Sequence, residues 1–238
     1  MSKIFDAYRK QTAERSELSA DIGRVGTVHL FPAPSPRQAG DFAKLASQIL
    51  ALRRSDRGTV LAVASSVAGE GASFVSYNTA LILARDYGRK VCWIDANFLA
   101  PQAKLRVTDE PTFADLLRTP ERAADLGRTV NPLLVAAGQD LPRAKNLIAS
   151  RSYADLLAGL AVRFDLVLLD LPPMLASTDT ALMAAATDGF LLVIEQQHLK
   201  WEVIDHGLEA LRDKGVQTLG AVINRRSFAL PKIIYDRL

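Results

Sequence analysis

The stretch Thr59-Val-Leu-Ala-Val-Ala-Ser-Ser66 runs directly into Val67-Ala68-Gly69-Glu70-Gly71-Ala72-Ser73. The first part is a short, continuous β-branched and aliphatic run, which reads as a strand buried on both faces. The second part is glycine-bearing, and the residues after it carry a helical pattern over 73–87. A glycine loop between a first strand and a helix is where a phosphate is held, because backbone N–H groups converge there and the helix N-terminus favours negative charge. The pattern G-x-x-x-x-G-K-[ST] puts a lysine on the β- and γ-phosphates and a hydroxyl on Mg²⁺. Here Ser66 takes the first position, Gly71 the second glycine, Ala72 the lysine position and Ser73 the hydroxyl. A Gly-x-Gly turn entering a helix through Ser73 also serves as a purely structural capping device.

Outward from the loop, two further runs end on carboxylates. Lys90-Val-Cys-Trp-Ile-Asp95 and Phe164-Asp-Leu-Val-Leu-Leu-Asp170 both read as strands. In doubly wound sheets ligands sit beyond the carboxyl ends of the strands, so Asp95 and Asp170 are expected to face the same crevice as the loop, where Mg²⁺ needs oxygen ligands. Taken singly, each Asp could equally cap a strand or begin a turn. Strand runs at 60–65, 90–95, 133–137, 166–171, 189–194 and 219–224 alternate with helical patterns at 73–87, 113–118, 150–162, 178–186 and 201–214. All six runs are rich in Val, Ile and Leu and nearly continuous, as strands covered on both sides are. The predicted fold is therefore α/β, doubly wound around a mostly parallel sheet.

Upstream, residues 1–22 read as an amphipathic helix, and 23–40, with Gly23, Gly26, Pro32, Pro34, Pro36 and Gly40, as a linker. Phe42, Leu45, Ile49 and Leu52 recur at helical spacing and predict a helix over 41–54. The expected organisation is an N-terminal helix and linker over 1–37, a domain over 38–228 and a tail over 229–238.

With 238 residues, 49% hydrophobic and 23% charged, the chain has the balance of an ordinary globular protein. A net charge of +3 is too mild to argue for nucleic acid. The single cysteine, Cys92, excludes a disulfide framework and reads as a small buried strand residue. No uncharged apolar run reaches the roughly 18 residues of a membrane span, and the start lacks a signal-peptide core, so a cytoplasmic protein is expected. His29, His198 and His206 show no metal spacing. Trp93 and Trp201 read as buried or half-buried packing residues.

Residues 65–101 (SSVAGEGASFVSYNTALILARDYGRKVCWIDANFLAP) resemble the loop, helix and second acidic strand of the bacterial tyrosine autokinases of capsule and exopolysaccharide synthesis. Residues 135–180, around LLDLPP, look like that family's third acidic strand, and 188–225 are similar to its closing strand–helix–strand. The MSKIF start resembles the subgroup encoded with export systems, and the likeness spans about 38–228. The fold it implies is that of P-loop ATPases, of the same type as the DNA-partitioning and division-site ATPases. It also implies nucleotide contacts from Ser66, Gly69, Glu70, Gly71, Ala72, Ser73 and Phe74, with Asn224 and Arg225 near the adenine. Ser73, Asp95 and Asp170 would hold Mg²⁺, with Asp95 and Asp170 in the catalytic positions. ATP or ADP with Mg²⁺ are the implied cofactors. Asp179 matches a position usually acidic in the family, and reads equally as a favourable charge at a helix start.

Four departures follow from the same resemblance. Ala72 removes the loop lysine. Asp95-Ala-Asn97 replaces the family's Asp-x-Asp, leaving the shape of the second carboxylate without its charge. Gly40, Ala43 and Ala46 occupy the positions of a ring-forming Glu-x-x-Arg-x-x-Arg helix. The tail offers Tyr235 alone where the family has a tyrosine cluster. Together they predict a pseudokinase acting by binding, with the cytoplasmic part of a membrane polysaccharide chain-length or export protein as partner. The helix over 1–22 and the tail residues Phe228, Leu230, Ile233, Ile234 and Leu238 are candidate docking elements, or pack back on the domain. An active autokinase or weak ATPase using another cation is the competing enzyme reading. A DNA-partitioning ATPase is a third, disfavoured by Val67 and by the absence of a basic patch.

Overall fold

The computed structural model describes residues 31, 34–52, 54, 56–101, 111–126, 132–138, 146–196 and 199–225. The chain divides into two compact units, Met1–Leu30 and Phe31–Leu238, and all described residues belong to the second. The expected N-terminal helix, His29, His198 and the tail with Tyr235 lie outside the described residues.

The order of elements is α1 (Pro36–Ala51), β1 (Thr59–Ser65), α2 (Ala72–Arg85), β2 (Val91–Asp95), α3 (Phe113–Arg118), a 3₁₀ turn at Pro120–Asp125, and β3 (Leu133–Val135). It continues with α4 (Arg151–Arg163), β4 (Leu166–Asp170), α5 (Asp179–Ala184), β5 (Gly189–Glu195), α6 (Trp201–Asp213) and β6 (Thr218–Asn224). The strands form one sheet in the order β3-β2-β4-β1-β5-β6, every pair parallel. After β1 the chain moves toward β2, and after β4 it moves the other way toward β5. Right-handed crossovers in opposite directions put their helices on opposite faces and open a crevice between the carboxyl ends of β1 and β4.

The central strands are apolar because both faces are covered. Every residue of β1, β2 and β4 is buried. Each Leu, Val or Ile so removed from water contributes about 1.5–3 kcal/mol. Phe98 stacks on Phe113 at 5.5 Å, and Phe113 meets Tyr153 edge-on at 6.3 Å, fastening β2, α3 and α4 together. Cys92 and Trp93 are fully buried as expected.

Three expectations need correction. Residues 36–40 belong to a helix, not the linker. Ser35 caps α1 by accepting from the Gln38 N–H, while Gln38 Oε1 accepts from the Ser35 N–H, and Pro36 is pre-set for the first helical position. The edge strand β6 is not covered on both faces: Ile223 is 59% exposed and Ala221 is open to solvent. Trp201, at the start of α6, is 63% exposed rather than packed. Among the described residues no helix is long and apolar enough to cross a membrane.

Candidate nucleotide site

The loop after β1 takes the shape that its glycines allow. Gly69 and Gly71 have φ of 93° and 92°, in the left-handed region that side chains avoid. Gly71 is the N-cap of α2, and Val75 N–H donates to its carbonyl to close the first turn. A Cβ on Gly71 would also fall 2.3 Å from Asn224 Nδ2. The first N–H groups of α2 therefore point out of the helix end without intrahelical acceptors.

Glu70 braces the loop through its side chain. Its side chain is fully buried, and its carboxylate faces into the loop. Oε2 accepts from the Ser66 N–H (2.8 Å) and the Val67 N–H (3.0 Å), and Oε1 accepts from the Glu195 N–H (3.2 Å). Its carbonyl accepts from Asn224 Nδ2 at 2.8 Å. The loop is thus braced from within and tied to the ends of β5 and β6. Nothing in a Gly-Glu-Gly string distinguishes such a buried brace from a surface carboxylate. Glu70→Ala leaves three N–H donors without their acceptor, that of Ser66 buried and those of Val67 and Glu195 partly so, and should lower stability by about 2 kcal/mol, with Glu70→Gln intermediate, as read by urea denaturation.

Behind the loop, Asp95 and Asp170 are Cα partners in the β2–β4 register, and both are buried. Ser73 and Ser76 of α2 hydrogen-bond to Asp170, the latter at 3.5 Å, and the buried Trp93 Nε1 donates to Ser76 Oγ at 3.0 Å. Burial pushes the Asp170 carboxyl up to about 8; the hydrogen bonds from Ser73 and Ser76 oppose the rise and the charge of Asp95 adds to it. Asp170 Oδ2 and Ser66 Oγ are buried without a hydrogen-bond partner among the described residues. Asp95 Oδ1 accepts from the Asn97 N–H, and Asn97 Oδ1 accepts from the Ala100 N–H. Asn97 therefore serves a local turn that needs an acceptor and no charge.

A cleft of about 630 Å³ opens here. Its walls include Gly69, Gly71, Ala72, Ser73 and Phe74 from the loop and α2, Asn97 and Leu99 after β2, Pro173 and Ala176 after β4, and Asn224 and Arg225 at the end of β6. Phe31 and Gln38 complete it. Phe31 rests on Phe74 (6.0 Å) and Tyr77 (5.6 Å), a contact that the Pro-rich linker reading gave no sign of. Arg225, with φ 50°, is the one charged side chain among the described lining residues, and its Nη1 donates to Glu195 Oε2 at 2.9 Å. Asp179 opens α5 and does not line the cleft. Of the ring-helix positions, Ala46 is buried and Gly40 exposed.

The site suits part of a Mg²⁺-bound nucleotide and not all of it. The open N–H groups at the start of α2, the unpartnered Asp170 oxygen and the Ser73 hydroxyl suit a phosphate and a hard cation. The residue at the lysine position, whose side chain is a methyl group, does not suit a terminal phosphate.

A parallel sheet in this order, with a glycine loop and two carboxylates at its carboxyl edge, defines a P-loop ATPase-type domain. By sequence and by fold the chain is a relative of the bacterial tyrosine kinases. The tyrosine-protein kinase CpsD of Streptococcus agalactiae is 27% identical over 172 residues, covering 70% of this chain and 75% of that one. The tyrosine-protein kinase wzc of Salmonella typhi is 26% identical over 167 residues, or 68% of this chain and 23% of its own length. The crystal structure of the VpsO kinase domain matches with a TM-score of 0.68 at 26% identity, covering 80% of this chain and 96% of that domain. No protein-family model matches the chain.

Proposed function

We propose that this chain is a pseudokinase: a nucleotide-binding, kinase-like subunit that has lost phosphoryl transfer and acts by binding within an exopolysaccharide synthesis or export system. The observation that carries the reading is Ala72, set at the start of α2 in a loop that keeps Gly69, Gly71 and its Glu70 brace. Phosphoryl transfer depends on positioning and charge, so loss of the loop cation should raise the barrier by about 3–5 kcal/mol. Ser73, Asp95 and Asp170 are the residues that would hold Mg²⁺, whose contribution when bound is to neutralise phosphate charge. Asn224 and Arg225, which line the cleft, would lie near the base.

The matched segment corresponds to less than a quarter of the length of wzc. The partner proposed is the cytoplasmic portion of a membrane polysaccharide chain-length or export protein, which would hold this chain at the inner membrane face.

Purified protein should release no phosphate from Mg-ATP above background and incorporate no label into tyrosine, while Mg-nucleotide raises its melting temperature. Robust hydrolysis by the wild type that Asp170→Ala abolishes would overturn the reading in favour of an active ATPase or autokinase.

A further inference from the structure

We propose that the cleft is a nucleoside-diphosphate site that discriminates against the triphosphate, and that Ala72 is the residue that sets this preference. The inference rests on the nucleotide reading above and names the ligand state that the site selects.

Glu70 already holds the N–H groups of Ser66 and Val67, so the donors open to a ligand are those of the first turn of α2, a helix of 14 residues. Such a helix end carries about half a positive charge, enough to favour one phosphate group and confined to the first turn. A lysine at position 72 would extend that positive field to a third phosphate. Ala72 instead presents a methyl group that is 7% exposed and lines the cleft. Arg225 is already engaged by Glu195 Oε2.

Asp95 and Asp170 lie side by side in the sheet, and Asp170 is bonded to Ser73 of the cleft wall. A γ-phosphate adds negative charge that no free side-chain cation among the described lining residues offsets, since position 72 is alanine and Arg225 is held by Glu195. Two observations independent of the helix end point to a ligand here: Ser66 Oγ and Asp170 Oδ2 are fully buried and unpartnered at the base of the loop. Charge thus sets the preference for the shorter ligand.

Calorimetric titration of the full chain with Mg-ADP and with a non-hydrolysable Mg-ATP analogue, at 0.15 M salt, tests the proposal. The diphosphate should bind at least tenfold more tightly, and Ala72→Lys should remove or reverse that ratio. Equal affinity, or tighter binding of the analogue by the wild type, overturns the inference and leaves the nucleotide reading standing. Failure of both ligands to bind overturns the two together. The wild-type ratio decides the matter even if the variant misfolds, and an unchanged ratio in a folded Ala72→Lys protein overturns the assignment to Ala72.

Discussion

Asp170→Asn is expected to stabilise the metal-free protein at pH 8 while removing its response to Mg²⁺. In the folded chain burial holds the Asp170 proton up to about pH 8, whereas the same carboxyl is lost near 3.8 when exposed. Between those values the folded state binds more protons than the unfolded one, so stability falls as pH rises. The contribution is fully present below pH 3.8 and is lost through pH 8. A shift from 3.8 to about 8 corresponds to about 6 kcal/mol across the window. In EDTA the wild type should therefore melt progressively lower from pH 4 to pH 8, and Asp170→Asn should flatten that slope. The aspartate is costly to bury alone, which is intelligible if a cation normally accompanies it. A wild type whose metal-free stability rises over this range would contradict the burial account.

Gly58→Ala is expected to be among the most damaging single substitutions, although Gly58 lies outside the cleft. Its N–H donates to the Ala161 carbonyl at 2.8 Å, where the end of α4 meets the entry to β1. A Cβ would fall 1.9 Å from the Phe164 carbonyl oxygen and 2.8 Å from that of Ala161. Both obstacles are backbone, so no side-chain rotation relieves the overlap, and β1 must shift with the loop it carries. A loss of about 4 kcal/mol is expected in chemical denaturation. Gly159→Ala is the control. Nothing lies within 4 Å of its Cβ position, it is exposed within α4, and alanine there should stabilise by about 0.5–1 kcal/mol.

Much of the fold is legible in the sequence because both-face burial leaves an unmistakable mark. Val-Leu-Ala-Val-Ala in β1 and Leu-Val-Leu-Leu in β4 carry no polar residue until the chain reaches the carboxyl edge of the sheet. There Ser65, Asp95 and Asp170 appear together, which is why the runs locate the crevice as well as the strands. Misreadings arose where local chemistry had two meanings. Ser35-Pro36-Arg37-Gln38 holds a complete capping box, yet its proline belongs equally to a linker. The apolar run in β6 matches the inner strands, but an edge strand can keep that composition with Ile223 in solvent. Phe31 could not be assigned to the cleft, because its ring contacts depend on α2 arriving from more than forty residues downstream. Glu70 was hidden for a related reason: the donors it holds come from the loop itself and from β5, and no spacing rule links them.

The inward-facing Glu70 carboxylate has a kinetic corollary. A loop already folded around its own anion does not wait for an incoming one to give it shape. Arrival then becomes a docking event on a standing surface, with little ordering to accomplish after contact. The speed of capture is governed by collision and by the field at the cleft mouth, and residence time by the few groups that touch the guest.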